Sequence, residues 1–242
     1  MQTKPSPSSR FTAEMKSGEH TEPRFNLADY AVLMKPRVMS LVVFTALVGL
    51  LLAPGSIDPW TATAAIVFIA LGAGAAGAIN MWYDRDIDLQ MSRTMNRPLP
   101  AGRMQPGPAL AFGIIMALAA VSSMSYYVNL TSATLLLVTI LYYVFIYTVW
   151  LKRLTPQNIV IGGVSGALPP VVGWASVTGG IDAGALSLFL IIFLWTPPHS
   201  WALALYRRGD YEAAGVPMLP VAAGVQATKR QMTYYTALLL PV

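Results

Sequence analysis

Three residues that can bind a cation follow an almost wholly apolar run of the chain. The run "TATAAIVFIALGAGAAGAI" leads directly into "NMWYDRDID" at 80–88. Asn80, Asp84 and Asp88 are four residues apart, so on a continuous helix they form one stripe that drifts by about 40° per step. Two carboxylates and an amide oxygen that converge repel each other unless a cation joins them, and Mg²⁺ favours such hard oxygen ligands. The spacing therefore predicts a magnesium site in which these three residues are the metal ligands and act in catalysis.

Arginines that can bind phosphate come next in the chain. Arg93, Arg97 and Arg103 each carry a guanidinium group that forms paired hydrogen bonds with phosphate oxygens. Carboxylates followed by arginines beside an apolar segment predict a site for a lipid-like substrate with a diphosphate head. The alternative is a charged loop that only fixes membrane topology, but topology needs the arginines and not three aspartates. Asp86 points away from the stripe and is expected to pair with Arg85 in solvent.

A second polar group lies in "WTPPHSWALALYRRGDYEAAGVPMLP", residues 195–220. His199 follows Pro197 and Pro198, which interrupt or restart a helix. A polar ring at membrane depth usually faces a cavity or the bundle interior. Three roles remain open for His199, namely an axial contact to a metalloporphyrin, a base and a group that orients an acceptor. The alternative is a core histidine with a hydrogen-bond partner.

Asp210 and Tyr211 stand at the water boundary after the same apolar segment. Asp210 could hold a second magnesium ion opposite the first cluster, or it could pair with Arg208. Tyr211 is a candidate for the same second motif.

Two further features have a functional and a structural interpretation. Lys152 and Arg153 end the fourth apolar segment, where they could bind diphosphate or anchor a helix. Tyr147, in the aromatic run "LYYVFIYTVW", could stabilise a developing cation through its ring face. Such aromatic residues are more often packing residues or part of an interfacial belt.

The composition is that of an integral membrane protein. Of the 242 residues, 55 % are hydrophobic and 11 % are charged, and the mean hydropathy is +0.54. A soluble domain needs more charge to cover its surface. Cysteine is absent, which excludes disulfides, thiolate metal sites and cysteine nucleophiles. Because the composition is that of a membrane protein, the net charge of +5 is not interpreted as a sign of nucleic-acid binding, and no nucleic-acid partner is expected.

The apolar segments alternate with polar connections in a way that predicts orientation. The predicted segments are 38–53, 60–82, 108–128, 131–151, 158–178 and 184–206, and a seventh begins near 232. If they alternate, all sixteen Lys and Arg residues lie on one face. The positive-inside tendency makes that face cytoplasmic and places the protein in a bacterial inner membrane as a multi-pass protein. Residues 1–37 are predicted to be a polar cytoplasmic tail, and residues 38–242 the transmembrane domain.

The two long loops follow the second and the sixth segments. Loops 83–107 and 207–231 both lie on the predicted cytoplasmic face, and each reaches a Pro-rich hinge. This pattern indicates a four-helix unit used twice, an arrangement that commonly places the site between the halves. The second unit would then be incomplete, so the domain is expected to be truncated at its C-terminal end.

The motifs "NMWYDRDID", "SRTMNRPLPAGRM" and "WTPPHSWALALYRRGDYEAAGVPMLPVAAG" resemble the UbiA superfamily of intramembrane prenyltransferases, and within it the haem O synthase (protohaem IX farnesyltransferase) branch. The resemblance extends from about Lys35 to the end of the chain. It implies an all-α polytopic transmembrane helical bundle of nine helices, of which about seven are present here. It also implies transfer of the farnesyl group of farnesyl diphosphate to a vinyl group of haem B, with Mg²⁺ as cofactor. The product, haem O, serves terminal-oxidase assembly, so haem-insertion machinery is a possible partner.

The resemblance also assigns roles to residues. Asn80, Asp84 and Asp88 would bind magnesium diphosphate, and Arg93 and Arg97 would contact the diphosphate. His199 would be a catalytic or haem-side residue, and Asp210 would belong to the second motif. Many superfamily members carry a second aspartate-rich motif, whereas this chain has a single Asp210 there. Ser200 stands where an aromatic residue is expected in the haem branch.

Other functions remain as alternatives. A UbiA-type enzyme with a quinone-precursor or chlorophyll-type acceptor would share the first cluster but not the stretch after His199. A transporter or channel would place ionisable residues near mid-membrane, whereas here they gather at one face. An assembly factor for a haem-containing oxidase would bind haem without a magnesium-dependent product.

Overall fold

The computed structural model describes residues 26–242, and this part of the chain is helical throughout, without strands. Residues 1–25 of the predicted polar tail lie outside the described residues. One helix, α6, continues as a ten-residue π-helix, Tyr142–Leu151. The helices are α1 Leu27–Leu33, α2 Pro36–Leu52, α3 Pro59–Tyr83, α4 Arg85–Gln90, α5 Pro106–Tyr127, α6 Leu130–Leu141, α7 Asn158–Ala167, α8 Pro169–Thr178, α9 Ala183–Tyr206, α10 Arg208–Ala213, α11 Leu219–Ala222 and α12 Gly224–Leu239.

Five helical stretches are long and apolar enough to cross a membrane. They are α3, α5, α6 with its π-helix, α7 with α8, and α9. The pair α1 and α2 would be a sixth if its two helices, bent by 53°, form one span. The prediction of an all-α helical bundle is confirmed, and the spans match the predicted segments. The seventh predicted segment, from near 232, lies in α12, which begins at Gly224.

Side-chain caps begin three of the spans at the end of the bundle opposite the charged loops. Asp58 accepts hydrogen bonds from the backbone N–H groups of Trp60 and Thr61, each at 3.0 Å. Asp182 and Asn129 cap α9 and α6 in the same way. These caps satisfy the first N–H groups of each helix. Short capped turns therefore occupy this end, and the long loops are left for the other.

The short helix α1 lies within the range predicted to be a polar tail. Its Leu33 is fully buried against residues of α3 and the following loop, including Ala78 and Met81. Asp29 accepts a hydrogen bond from Arg103 Nε at 3.1 Å. Lys35 follows in a left-handed conformation, with φ of 52°, and α2 starts at once with Pro36. The bend between α1 and α2 turns Lys35 toward the end of α3.

The two long loops pack together and cover the charged end of the bundle. Their apolar residues form one buried cluster, to which Ile87 and Met91 belong from the first loop and Val216 and Met218 from the second. Ser92 Oγ donates to both carboxylate oxygens of Asp210, at 3.0 Å each. The elements that carry the predicted site residues are therefore held against each other.

Helices α2 and α8 touch through their backbones. A Cβ atom added at Gly49 would lie 2.0 Å from the carbonyl oxygen of Pro170, and one added at Gly173 would lie 2.0 Å from that of Ala46. Small residues allow this close approach, which contributes dispersion energy and packing in membrane bundles. Both positions require glycine for steric reasons.

Replacing Gly173 with alanine is expected to destabilise the protein. The added methyl group meets backbone atoms that cannot move aside, and such overpacking costs about 1–3 kcal/mol. We expect the Tm of the detergent-purified protein to fall by roughly 5 °C. Gly107→Ala is the matched control, because a Cβ atom there has nothing within 4 Å. Equal Tm values for the two variants would contradict the close contact.

Candidate functional site

Asn80, Asp84 and Asp88 lie at a break between two helices. Helix α3 ends at Tyr83, Asp84 has φ of −85° and ψ of 6°, and α4 begins at the next residue. The backbone N–H of Asp84 still donates to Asn80 O at 2.9 Å, and that of Asp88 to Asp84 O at 2.8 Å. The i, i+4 pattern therefore continues through the break. The three residues are 4 %, 1 % and 3 % exposed, so their polar groups face the protein interior.

Basic side chains contact each of these three residues. Lys152 Nζ donates to Asp84 Oδ2, and Arg97 Nη1 donates to Asp88 Oδ2 at 2.6 Å. Lys35 Nζ donates to Asn80 Oδ1. Three cations therefore face two carboxylates, which leaves one positive charge in excess. We call this group the polar cluster, with members Lys35, Asn80, Asp84, Asp88, Arg97 and Lys152.

The amide of Asn80 is held on both sides. Its Nδ2 donates to Asp84 Oδ2 at 2.7 Å and to Thr148 Oγ1 at 3.0 Å. Thr148 comes from the π-helix and is fully buried. Neither Thr148 nor Lys35 was predicted from the sequence. Lys35 had a signal, since it stands directly before Pro36 at the start of an apolar segment, but it was interpreted only as a topological charge.

The surroundings of Lys35 destabilise its charged form. Burial, together with the nearby Arg97 and Lys152, lowers the pKa of Lys35 to about 7, while Asp88 and Asp84 act in the opposite direction. The charges of Lys35 and of these four residues therefore influence one another. An anion bound there would stabilise the lysine charge.

The oxygen atoms of the polar cluster suit a hard divalent cation. Asp84 Oδ1 is buried and accepts no hydrogen bond from residues 26–242, although Arg153 Nη2 lies 3.6 Å away. Within the same residues, no group of three or more His, Cys, Asp or Glu side chains could hold a metal. Two carboxylates and one amide oxygen match Mg²⁺, which usually keeps waters or takes phosphate oxygens for its other ligands.

An apolar cavity of about 170 Å³ begins beside the polar cluster. Lys35 and Tyr143 line the end of the cavity nearest to the cluster. Its walls come from α2, α3, α6, α7 and α8, through residues such as Val42, Ile69 and Val172. The arrangement joins a site for an anion and a cation to a space for a hydrocarbon chain.

Asp86 and Arg153 form an exposed pair beside the cluster. The guanidinium of Arg153 donates to both Asp86 oxygens at 2.7 Å and lies over the ring of Tyr83. The hydrogen bond with Arg153 holds the pKa of Asp86 below its ordinary value. The prediction that Asp86 pairs with Arg85 is wrong, because Arg85 donates to the carbonyl oxygen of Trp82 instead.

The residues of the second predicted motif do not join the polar cluster. His199 is exposed on α9, and its ring stacks on Trp195 with the centroids 5.5 Å apart. Asp210 accepts from Ser92 and not from Arg208. Tyr211 packs in the apolar cluster of the two loops, and Arg93 is exposed.

Tyr147 lies next to the cluster in a packing role. A Cβ atom added at Gly162 would lie 2.3 Å from its ring, so α7 approaches the ring closely. Tyr147 also stacks on Tyr143, with ring centroids 5.4 Å apart.

Sequence comparison finds matches over most of the chain. The model of the UbiA prenyltransferase family matches residues 42–242. Protoheme IX farnesyltransferase 2 of Mesorhizobium japonicum is 59 % identical over 214 residues, which are 88 % of this chain and 68 % of that protein. Protoheme IX farnesyltransferase of Rhodopseudomonas palustris is 61 % identical over 216 residues, 89 % of this chain and 69 % of the relative.

Structural comparison finds the same fold at low sequence identity. A UbiA homolog from Archaeoglobus fulgidus bound to DMAPP and Mg²⁺ superimposes with a TM-score of 0.71 at 18 % identity, over 87 % of this chain and 75 % of the other. The same homolog bound to GPP and Mg²⁺ gives the same values.

Proposed function

The chain belongs to the UbiA prenyltransferase family and is a multi-pass membrane protein, and from this premise we propose that it transfers the farnesyl group of farnesyl diphosphate to a vinyl group of haem B, giving haem O. The observation that carries the proposal is the polar cluster at the end of an apolar cavity. A diphosphate suits the excess positive charge, and the apolar lining of the cavity suits an isoprenoid chain. The similarity to relatives named protoheme IX farnesyltransferase supports haem B as the acceptor.

Asn80, Asp84 and Asp88 would hold Mg²⁺, as their oxygen donors permit. When bound, the ion supplies positive charge that offsets the charge developing on the diphosphate. Lys152 and Arg97, which contact the carboxylates of Asp84 and Asp88, would then be available to bind phosphate oxygens. Arg153, whose Nη2 lies 3.6 Å from Asp84 Oδ1, would add a diphosphate contact, the exposed Arg93 would add another, and Lys35 would add one from the cavity side.

The transfer needs no protein nucleophile. The allylic C–O bond breaks and its electron pair leaves with the diphosphate, because the cations stabilise that charge. The apolar cavity excludes water from the farnesyl cation until the vinyl carbon attacks it. Water adds to the cation formed next to the porphyrin ring and loses a proton, which leaves a hydroxyethylfarnesyl substituent.

The acceptor side is proposed from the second motif. His199, with Asp210, Tyr211 and Tyr147, would contact or orient haem B, and the exposed imidazole beside the Trp195 ring is accessible to a planar ligand. In the same proposal, Asp210 would help to hold a second Mg²⁺. Haem O would pass to terminal-oxidase haem-insertion machinery.

Replacing His199 with alanine is expected to raise the KM for haem B about tenfold, since one ligand contact of about 1.4 kcal/mol is lost. The KM for farnesyl diphosphate should stay the same, because His199 does not touch the polar cluster. Steady-state kinetics with each substrate varied in turn measures both constants. Unchanged haem kinetics would remove His199 from the acceptor site.

The charge distribution supports a bacterial inner-membrane location with the N-terminus and the two long loops in the cytoplasm. The orientation is tested by fusing a reporter that is active only in the cytoplasm, either after the loop 83–107 or after the turn at 54–58. Only the fusion after the loop 83–107 is expected to be active.

The function is tested by incubating purified protein with haem B, farnesyl diphosphate and Mg²⁺. We expect a haem product whose mass is increased by one farnesyl group and one hydroxyl group, and its loss when EDTA is added. A parallel reaction with an aromatic quinone precursor serves as the acceptor control. Prenylation of the quinone precursor alone would overturn the proposal.

A further inference from the structure

The hydroxyl of Thr148 makes a hydrogen bond that differs from those of other helical threonines in the chain. Thr139 and Thr196 donate to the carbonyl four residues earlier, at 2.7 Å each. Thr148 donates instead to Tyr143 O, five residues earlier, at 2.9 Å. The backbone N–H of Lys152 likewise donates to Tyr147 O, at 2.9 Å. The backbone bond of Lys152 is that of a π-helix, a rare geometry that is often found at functional sites, and the side-chain bond of Thr148 follows the same spacing.

The bond to Tyr143 determines what Thr148 can offer to its neighbour. A hydroxyl has one proton, and here the carbonyl oxygen of Tyr143 accepts it. Only the lone pairs of Thr148 Oγ1 remain for Asn80, so the part of the Asn80 amide that faces Thr148 must be the NH₂ group. The structure has Nδ2 there, at 3.0 Å.

The other side of the amide gives the same orientation independently. An ionised carboxylate accepts hydrogen bonds and cannot donate them. Asp84 Oδ2 lies 2.7 Å from Nδ2 of Asn80, so this atom must be the nitrogen, and Lys35 Nζ accordingly lies against Oδ1. Thr148 and Asp84 therefore agree, and the NH₂ group points to the π-helix and to Asp84 while the oxygen points to the basic side of the cluster.

We propose that Thr148 is a positioning residue that keeps the amide oxygen of Asn80 directed toward the bound divalent cation. The inference rests on the proposed function, in which Asn80 is a metal ligand. If the amide turned over, its NH₂ group would face the cation and the ligand would be lost. Lys35 can move away when a cation and diphosphate bind, and the Asp84 carboxylate, which accepts from Nδ2 at 2.7 Å, would then also bind the cation. Thr148 is buried, and its hydroxyl donates to Tyr143 O. Thr148 thus holds the orientation when these two partners are engaged elsewhere.

The test compares Thr148→Val, which keeps the shape and removes the hydroxyl, with Thr148→Ser, which keeps the hydroxyl. Mn²⁺ binding in the presence of inorganic diphosphate is measured by electron paramagnetic resonance, without haem or farnesyl diphosphate. We expect Thr148→Val to weaken Mn²⁺ binding about 10- to 100-fold, the usual loss when a group that orients a metal ligand is removed. Thr148→Ser is expected to stay within about threefold of the wild type.

A second background keeps the test decisive if the valine also lowers stability. In Asn80→Asp both side-chain oxygens can face the cation, so there is no amide orientation to maintain. Thr148→Val should then have little further effect on Mn²⁺ binding, and the double-mutant cycle should show strong coupling. Equal Mn²⁺ affinity of Thr148→Val and wild type, or an equal loss in both backgrounds, would overturn the inference.

The same measurements separate this inference from the proposed function. Wild-type protein that binds Mn²⁺ but forms no prenylated haem would refute the function. Tighter Mn²⁺ binding by the wild type and Thr148→Ser than by Thr148→Val would still support Thr148 as the residue that orients Asn80.

Discussion

Asp84→Asn is expected to lower kcat for prenyl transfer about a thousandfold. Asp84 is the residue at the helix break, 1 % exposed, and its oxygens contact both Lys152 and Arg153. Asparagine keeps the shape but removes the charge that would hold Mg²⁺. A metal contributes several kcal/mol to such a transition state, and about 4 kcal/mol corresponds to a factor of about a thousand. The rate is measured by the amount of farnesylated haem formed at saturating substrates.

The matched control is Asp86→Asn, two residues further along the chain. Asp86 is exposed and bound by Arg153, so its replacement should change the rate by less than about threefold, the range of a surface ion pair. Both variants must elute as folded protein with similar Tm values. Turnover by Asp84→Asn at the wild-type rate would refute the metal site.

Lys35→Met is expected to lower kcat/KM for farnesyl diphosphate about a hundredfold. Lys35 donates to Asn80 and is the member of the polar cluster that also lines the cavity, within residues 26–242. Its ammonium would lie where the diphosphate joins the isoprenoid chain. Loss of one such donor typically reduces the rate by two to three orders of magnitude. Methionine keeps the length and the apolar stem, so the cavity wall is retained.

Arg37→Gln is the control for Lys35, since it removes a positive charge only two residues away at an exposed position. A general loss of surface charge would affect both variants alike and would depend on salt. A large effect of Lys35→Met alone, independent of salt, is the expected result. Equal effects would show that Lys35 has no specific contact with the substrate.

The spans and the first motif could be predicted from the sequence because both depend on local periodicity. A run without charges gives a membrane helix, and a spacing of four keeps Asn80, Asp84 and Asp88 on one side even across the break at Asp84. Lys35 could not be predicted in the same way. Its position depends on a 53° bend between α1 and α2 and on a left-handed conformation at Lys35 itself, and neither follows from hydropathy.

Hydrogen-bond and ion-pair partners that are far apart in the chain could not be predicted from the sequence either. Asp86 was assigned to Arg85, but adjacent residues on a helix do not face each other, and Arg153 reaches it from 67 residues away. Thr148 had no signal at all, because its contact with Asn80 depends on a π-helix. His199 stayed apart from the cluster although the resemblance grouped them, so its role depends on the haem experiment.

The backbone contact between α2 and α8 limits how a bilayer-dissolved isoprenoid can reach the interior. With Gly49 and Gly173 each fitted against a carbonyl group of the opposite helix, α2 and α8 leave no gap for a hydrocarbon tail at these two positions. This part of the boundary cannot open without the loss of that contact. On the proposed function, an isoprenoid would enter elsewhere, and a bulkier side chain at either glycine would lower stability before it changed substrate entry.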